Sequence, residues 1–299
     1  MFFCNPFLLS PKNHIIQPMT YKFLDYGEGR RLEQFGEFTL DRAFVEGEYF
    51  DKKRPDLWDS ADAYFVREGR QNLDWKKIRE DLPESWTMNL DYDLKCELRL
   101  ASHNQVGIFP EQLENWEFVN KKCTQEKRPL KILNGFAYTG IATLYAVQAG
   151  EHVSVCHLDG SRPAISWAKK NAELSNLPTN QIRWMEDDVL TFLRREVKRG
   201  SKYDGFILDP PAFGRGKKGD WKISRDLDTL LNLVGELLTD DPVFVILSCH
   251  AEGISKYNLA EKLEQIPQLS GKNIETLDLK IPVENNKPVK MGVCARWGK

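Results

Sequence analysis

Apolar positions in the first part of the chain come in short bursts separated by glycine turns. Tyr21, Phe23 and Leu24 precede Gly27-Glu28-Gly29, and Leu32, Phe35, Phe38 and Leu40 follow around Gly36, a spacing that predicts β-hairpins. Residues 51–86 hold Trp58, Tyr64, Phe65, Trp75 and Trp86 without a sustained period and read as irregular. Alternation returns between Asp91 and Leu100, with Leu94, Cys96, Leu98 and Leu100 on one face of a half-buried strand. Residues 19–120 therefore predict a small β-rich domain. The segment Gly107-Ile108-Phe109-Pro110-Glu111-Gln112 leads out of it, and the charged run Lys121 to Arg128 reads as the boundary.

From Leu130 the period changes. Apolar strands at Ile132-Leu133, Val153–Leu158, Ile182–Met185, Phe206–Leu208 and Val243–Leu247 alternate with amphipathic helices near 139–149, 162–175, 189–199 and 223–238. That repetition predicts a parallel sheet with helices on both faces. The tail departs from it. Ile274–Ile281 and Val289–Trp297 are strand-like and flank Asn285-Asn286-Lys287-Pro288, which predicts a closing antiparallel hairpin. Residues 121–299 thus read as an α/β domain closed by that hairpin.

Composition narrows the class. With 41% hydrophobic and 29% charged residues among 299, the chain is globular, and a net charge of −2 excludes a strongly basic body that coats nucleic acid. The six cysteines form no CxxC pair, which suits reduced thiols in a cytoplasmic setting and indicates neither a disulfide framework nor a metal site. No apolar run reaches the length of about 18 residues that a membrane helix needs. Residues 1–18 are apolar at the start but lack a basic n-region and are interrupted by Pro6, so they read as a loose extension rather than a signal peptide.

The chemistry collects at strand ends. Phe206-Ile207-Leu208 stops at Asp209-Pro210-Pro211-Ala212-Phe213, because neither proline has an N–H to continue a ladder. In open α/β sheets the carboxyl ends of the strands are where ligands bind. The first α/β strand ends in Asn134-Gly135-Phe136-Ala137-Tyr138-Thr139-Gly140, a turn into a helix that lets a ligand approach the backbone. Ala137 replaces the second glycine of GxGxxG, so pyrophosphate binding is disfavoured. Asp159 and Ser161 close the second strand; the carboxylate suits a ribose diol, and both residues suit helix caps. Glu186-Asp187-Asp188 closes the third, where a carboxylate suits an adenine amino group or, again, a cap. Together the three ends describe a pocket for a nucleoside without a phosphate chain, which S-adenosylmethionine fits.

Asn134–Gly140, Leu158–Ser161 and Leu208–Gly216 resemble the class I S-adenosylmethionine-dependent methyltransferases, and more narrowly the bacterial family related to the 23S rRNA cytosine-C5 and guanine-N7 methyltransferases. Gly107–Gln112 and Leu32-Glu33-Gln34-Phe35-Gly36 extend the resemblance over nearly everything after Met19. It implies a Rossmann-like sheet with a reversed last strand. It also implies that the Asn134–Gly140 turn holds the methionine end, Asp159 the ribose and Asp188 or Asp187 the adenine, with Gln112 near the cofactor. RNA is the implied acceptor.

Ala212 between the prolines and Phe213 departs from the amino-methylating motif and agrees with the ribosomal family. Asp209 and the Pro210 carbonyl are expected to orient the acceptor, with Phe213 either stacking on it or packing under its loop. Arg215, Lys217, Lys218 and Lys222 are either phosphate contacts or a solvated face. Cys249 is either the thiolate that attacks a cytosine ring or a buried structural thiol. His250, its neighbour on a strand, faces the other way. The competing classes are a nucleotide-dependent oxidoreductase and a cofactor-binding assembly module without transfer activity.

Overall fold

A computed structural model describes residues 19–68, 72–102, 104–215 and 219–299. The first 18 residues, and Lys217 and Lys218 of the basic loop, lie outside the described residues. The chain divides into two units. One comprises the described residues up to Pro110 with Ile281–Val289, and the other Glu111–Lys280 with Lys290–Lys299.

In the first unit, glycine turns fold β1 (Tyr21–Gly27), β2 (Arg30–Phe35) and β3 (Phe38–Ala43) into the expected antiparallel hairpins. The described residues between 51 and 86 are not irregular. A short α1 (Pro55–Trp58) leads to β4 (Ala63–Glu68), which pairs parallel with β3, and β5 (Asn72–Lys77) completes a five-stranded sheet. Ala63 and Phe65 are buried and Tyr64 is exposed, the period of two a strand requires. β6 (Trp86–Asn89) and β7 (Lys95–Leu98) form a separate antiparallel ladder. Asp25 ties the α1 segment down, accepting from the Lys53 and Arg54 amides and from Trp58 Nε1.

The second unit opens with α2 (Leu113–Gln125), which crosses the expected boundary at residues 120–121. Leu113, Trp116, Val119 and Cys123 supply an apolar stripe near helical spacing, and the last three are buried. The α/β alternation then follows: β8 (Leu130–Gly135), α3 (Ile141–Val147), β9 (Val153–Asp159), α4 (Arg162–Leu174), β10 (Ile182–Glu186), α5 (Val189–Lys198) and β11 (Gly205–Leu208). A two-residue ribbon, β12 (Phe213–Gly214) with β13 (Trp221–Lys222), precedes α6 (Ile223–Leu237) and β14 (Phe244–Cys249). After α7 (Lys256–Glu264) come β15 (Glu275–Ile281) and β16 (Val289–Gly298).

The seven strands lie in the order β10-β9-β8-β11-β14-β16-β15. The first five are mutually parallel and β16 runs antiparallel to β14, the reversed strand expected from the tail. β11 and β14 are buried throughout, as strands covered on both faces must be. Successive strands run outward from β8 to β10 on one side and from β11 onward on the other. The strand order therefore reverses between β8 and β11, and the carboxyl ends of those two strands flank the switch point where such sheets bind ligands.

Candidate active site

At the end of β8 the backbone is shaped for close approach. Phe136, Tyr138 and Gly140 have φ of 58°, 48° and 82°, so left-handed residues alternate through the turn. A Cβ on Gly140 would stand 2.9 Å from Ala168 Cβ and 3.2 Å from His157 Cε1, so the turn lies directly on α4 and β9. Asn134 is buried and donates from Nδ2 to Thr143 Oγ1 at 2.9 Å; that hydroxyl lies 3.0 Å from His157 Nδ1. Thr139 is buried, its carbonyl accepts from Asn171 Nδ2 at 2.9 Å, and α3 begins two residues later at Ile141. A Cβ on Gly135 would meet Leu208 of the neighbouring strand at 3.3 Å.

Asp159 holds this turn from β9. Its Oδ2 accepts the Tyr138 amide and its Oδ1 the Ser161 amide, each at 2.8 Å. Each oxygen keeps a second lone pair for a hydroxyl. Burial pushes the carboxyl upward against the pull of those two amides. Ser161 caps α4, accepting from the Ala164 amide at 3.3 Å. On β10's side, Asp188 caps α5 through the Thr191 amide at 2.8 Å, and Asp187 accepts its neighbour's amide at 2.9 Å while pairing with Arg195. The expected capping roles of Ser161 and Asp188 are thus both present. Asp187 N also donates to the Asp159 carbonyl, which brings the two carboxylate-bearing ends together.

The other flank is built on Asp209. Gln112 Nε2 donates to Asp209 Oδ2 at 3.1 Å, and Ser248 Oγ donates to Oδ1 at 2.9 Å. Gln112 also reaches Ser248 Oγ at 3.0 Å, and its own carbonyl accepts from Asn115 Nδ2 at 2.8 Å. His250 completes the cluster, with Nε2 3.5 Å from Asp209 Oδ1. Burial opposes ionisation of Asp209, but His250, Ser248 and Gln112 hold its carboxyl below the usual range.

Beyond Pro210 and Pro211 the chain turns back. Trp221 Nε1 donates to the Pro211 carbonyl at 2.7 Å, and the Trp221 ring lies 4.9 Å from that of Phe136. The loop after β11 and the β8 turn are thereby joined through one indole. Phe213, on β12, is 47% exposed rather than packed under its loop.

Cys249 does not join these residues. It is 1% exposed, packs in the core with Leu208, Leu247 and Val293, and burial pushes its thiol upward. Ser248 and His250, on the opposite parity of the strand, meet Asp209 instead. Neither was singled out from the sequence as a site residue. Their signal is the Ser248-Cys249-His250 alternation, which assigns one face to Cys249 and the other to its neighbours.

The donor set suits S-adenosylmethionine. A left-handed backbone turn at a strand end, a carboxylate with spare lone pairs beside it and a second carboxylate-bearing strand end suit an amino-acid moiety, a ribose and a base, and Ala137 stands where a pyrophosphate turn would have its second glycine. Such a sheet, with a reversed strand and an Asp-Pro-Pro end at its switch point, defines a class I methyltransferase fold.

The comparisons agree. Residues 69–280 match the S-adenosylmethionine-dependent methyltransferase family model, and the chain belongs to that family. A solved S-adenosylmethionine-dependent methyltransferase from Agrobacterium tumefaciens superposes with a TM-score of 0.85 at 32% identity, over 93% of this chain and 90% of that one. A protein crystallised with SAH shares the fold, with a TM-score of 0.71 at 18% identity over 93% of this chain and 75% of the other. The ribosomal RNA large subunit methyltransferase I of Aeromonas salmonicida is 29% identical over 62% of this chain and 46% of its own length. The chain thus spans about half the length of that curated relative. Among the described residues there is no group of metal-ligating side chains, and no helix is long and apolar enough to cross a membrane.

Proposed function

We propose that the protein transfers a methyl group from S-adenosylmethionine to a base in RNA, with ribosomal RNA as the favoured substrate. The observation that carries this reading is the pairing of an anchored carboxylate with an exposed ring. Asp209 is fixed at the end of β11 by Gln112 and Ser248, and Phe213 stands open to solvent four residues on. The sulfonium of the bound cofactor supplies the methyl group. What the chain contributes is alignment, which can supply much of the rate of such a transfer.

In this reading the Phe136–Gly140 turn, Asp159 and the Asp187–Asp188 end bind the cofactor. Asp209 and the Pro210 carbonyl accept from the acceptor's polar edge. Phe213 stacks on its face, a contact worth about 1–3 kcal/mol per base. Arg215 and Lys222 flank that ring and suit phosphates. The names of the curated relatives, ribosomal RNA methyltransferases, support the substrate class. Cys249 is read as a core residue and transfer as direct. The reaction is placed in the cytoplasm, in keeping with free, buried thiols at Cys96, Cys123, Cys156, Cys249 and Cys294.

Mapping modified nucleotides in RNA from a strain lacking the protein tests the proposal. One methylated base is expected to disappear and to return with the wild-type chain but not with Asp209→Ala. Indistinguishable maps would overturn it.

A further inference from the structure

His250 occupies a built seat. A Cβ on Gly292 of β16 would stand 2.8 Å from its Nδ1, so only glycine leaves room for the ring at that register. Nδ1 lies 2.9 Å from the Met291 carbonyl, an atom that can only accept, so Nδ1 carries a proton. Nε2 lies 3.5 Å from Asp209 Oδ1 and faces a carboxylate, which again calls for a proton. The buried Glu111 places a second carboxylate 3.9 Å from Nδ1. The Gln112 amide nitrogen also lies 3.4 Å from Nε2, but its two hydrogens go to Asp209 Oδ2 and Ser248 Oγ, so both edges of the imidazole match the doubly protonated, cationic form.

We propose that His250 is a positioning residue of the acceptor side: a standing imidazolium that keeps Asp209 ionised and aimed at the acceptor. The proposal rests on the methyltransferase reading above and deepens it. The Gln112 amide and Ser248 hydroxyl are neutral donors that orient Asp209, whereas His250 is the cation among the groups that hold it. Burial alone would lower the imidazole's proton affinity, but Asp209 and then Glu111 outweigh it and raise the group to about 10. The other titratable or charged groups on β14 and β16 are Cys249, Lys290, Cys294 and Arg296; burial raises both thiols, Lys290 pairs with Asp278, and Arg296 pairs with Glu114 and Glu275. Methyl transfer turns the sulfonium into a neutral thioether, and the proton that the methylated base sheds goes to solvent. A carboxylate locked in its anionic form then remains a hydrogen-bond acceptor for the substrate over a wide pH range, without taking up a proton itself.

The test is spectroscopic first. In the full-length protein the histidine Cε1–H signals are followed against pH, with His250 assigned by its loss in His250→Gln. The signal is expected to remain in the protonated form beyond about pH 8, and in Asp209→Asn its midpoint should fall by at least about one pH unit, a tenfold loss of proton affinity. Glu111→Gln serves as the second variant if Asp209→Asn does not fold, with a shift in the same direction. A midpoint near the ordinary value of about 6.5 in the wild type, or one unmoved by either variant, would overturn the proposal.

The second arm is the pH profile of kcat for methyl transfer onto RNA from a strain lacking the protein. His250→Gln should move the acid limb to higher pH, because Asp209 then protonates more readily, with kcat reduced more than the KM for S-adenosylmethionine rises. A uniform loss at every pH would mean that His250 is merely structural and would also overturn the proposal. If no RNA accepts a methyl group from any form of the protein, the RNA reading fails, and the imidazole titration still decides the state of His250.

Discussion

Gly140→Ala tests whether the β8 turn is as tightly seated as the geometry says. Two costs arise. At φ 82° an alanine pays for the left-handed conformation, about 1–2 kcal/mol, part of which is offset by its smaller unfolded-state entropy. Its Cβ would also stand 2.9 Å from Ala168 Cβ, and neither a methyl group nor the α4 backbone beneath it can swing away, so overpacking adds about 1–3 kcal/mol. Gly200→Ala is the control. It sits in the same unit at φ 66° with nothing within 4 Å, and pays the conformational cost alone. Urea denaturation of the two variants should therefore differ by the overpacking term, with Gly140→Ala the weaker by about 1–3 kcal/mol. Because Tyr138 N reaches Asp159 from the same turn, Gly140→Ala should also weaken S-adenosylmethionine binding in calorimetry, and Gly200→Ala should not. Equal stability of the two variants would refute the claimed contact.

Cys249→Ala should cost about 1–2 kcal/mol in thermal unfolding for the small cavity left in the core, while the folded protein keeps its methyl transfer to RNA; abolished transfer in a folded variant would restore the thiol as nucleophile. Phe213→Ala, at an exposed position, should leave the unfolding midpoint in place and weaken RNA binding by about 1–3 kcal/mol, measured by filter binding at fixed salt. Stability should also depend on His250. Its folded-state pKa is raised, so its contribution is complete below the unfolded value of about 6.5 and is lost as pH rises toward about 10, a decline that His250→Gln should flatten in urea titrations. Glu196 acts with the opposite sign. Burial raises its pKa, but Tyr203, Arg199, Ser201 and Arg183 together hold it down to about 2, so its contribution is complete above the unfolded value of about 4.3 and fades as pH falls toward 2. In Tyr203→Phe that acid sensitivity should shrink.

The α/β half was legible because its signals are local. Each strand is a short apolar run, each helix carries its own stripe, and β11 ends where two prolines remove the donors a ladder needs. The regions misread depend on pairing at a distance. β4 is held by parallel register with β3, Leu40 against Ala63, which no local period reveals. α2 did carry a readable stripe in Leu113, Trp116, Val119 and Cys123, but its charged end at Lys121 and Lys122 drew the boundary into the middle of a helix. At the site, Asp209, Asp159 and the Asn134–Gly140 turn follow from strand ends alone. Which face of β14 meets Asp209 does not. Parity separates Cys249 from Ser248 and His250, and only packing tells which side is core.

The claim at the centre of this account is that the carboxyl ends of β8, β9 and β10 bind S-adenosylmethionine through Asp159. Isothermal calorimetry of the wild type and of Asp159→Asn, which keeps one oxygen acceptor and the side-chain shape, measures it directly. Saturable binding by the wild type, weakened by about tenfold or more in the variant, is the predicted result, since a buried hydrogen bond to a charged group is worth about 1.5–3 kcal/mol. Undiminished binding by a folded Asp159→Asn would contradict it.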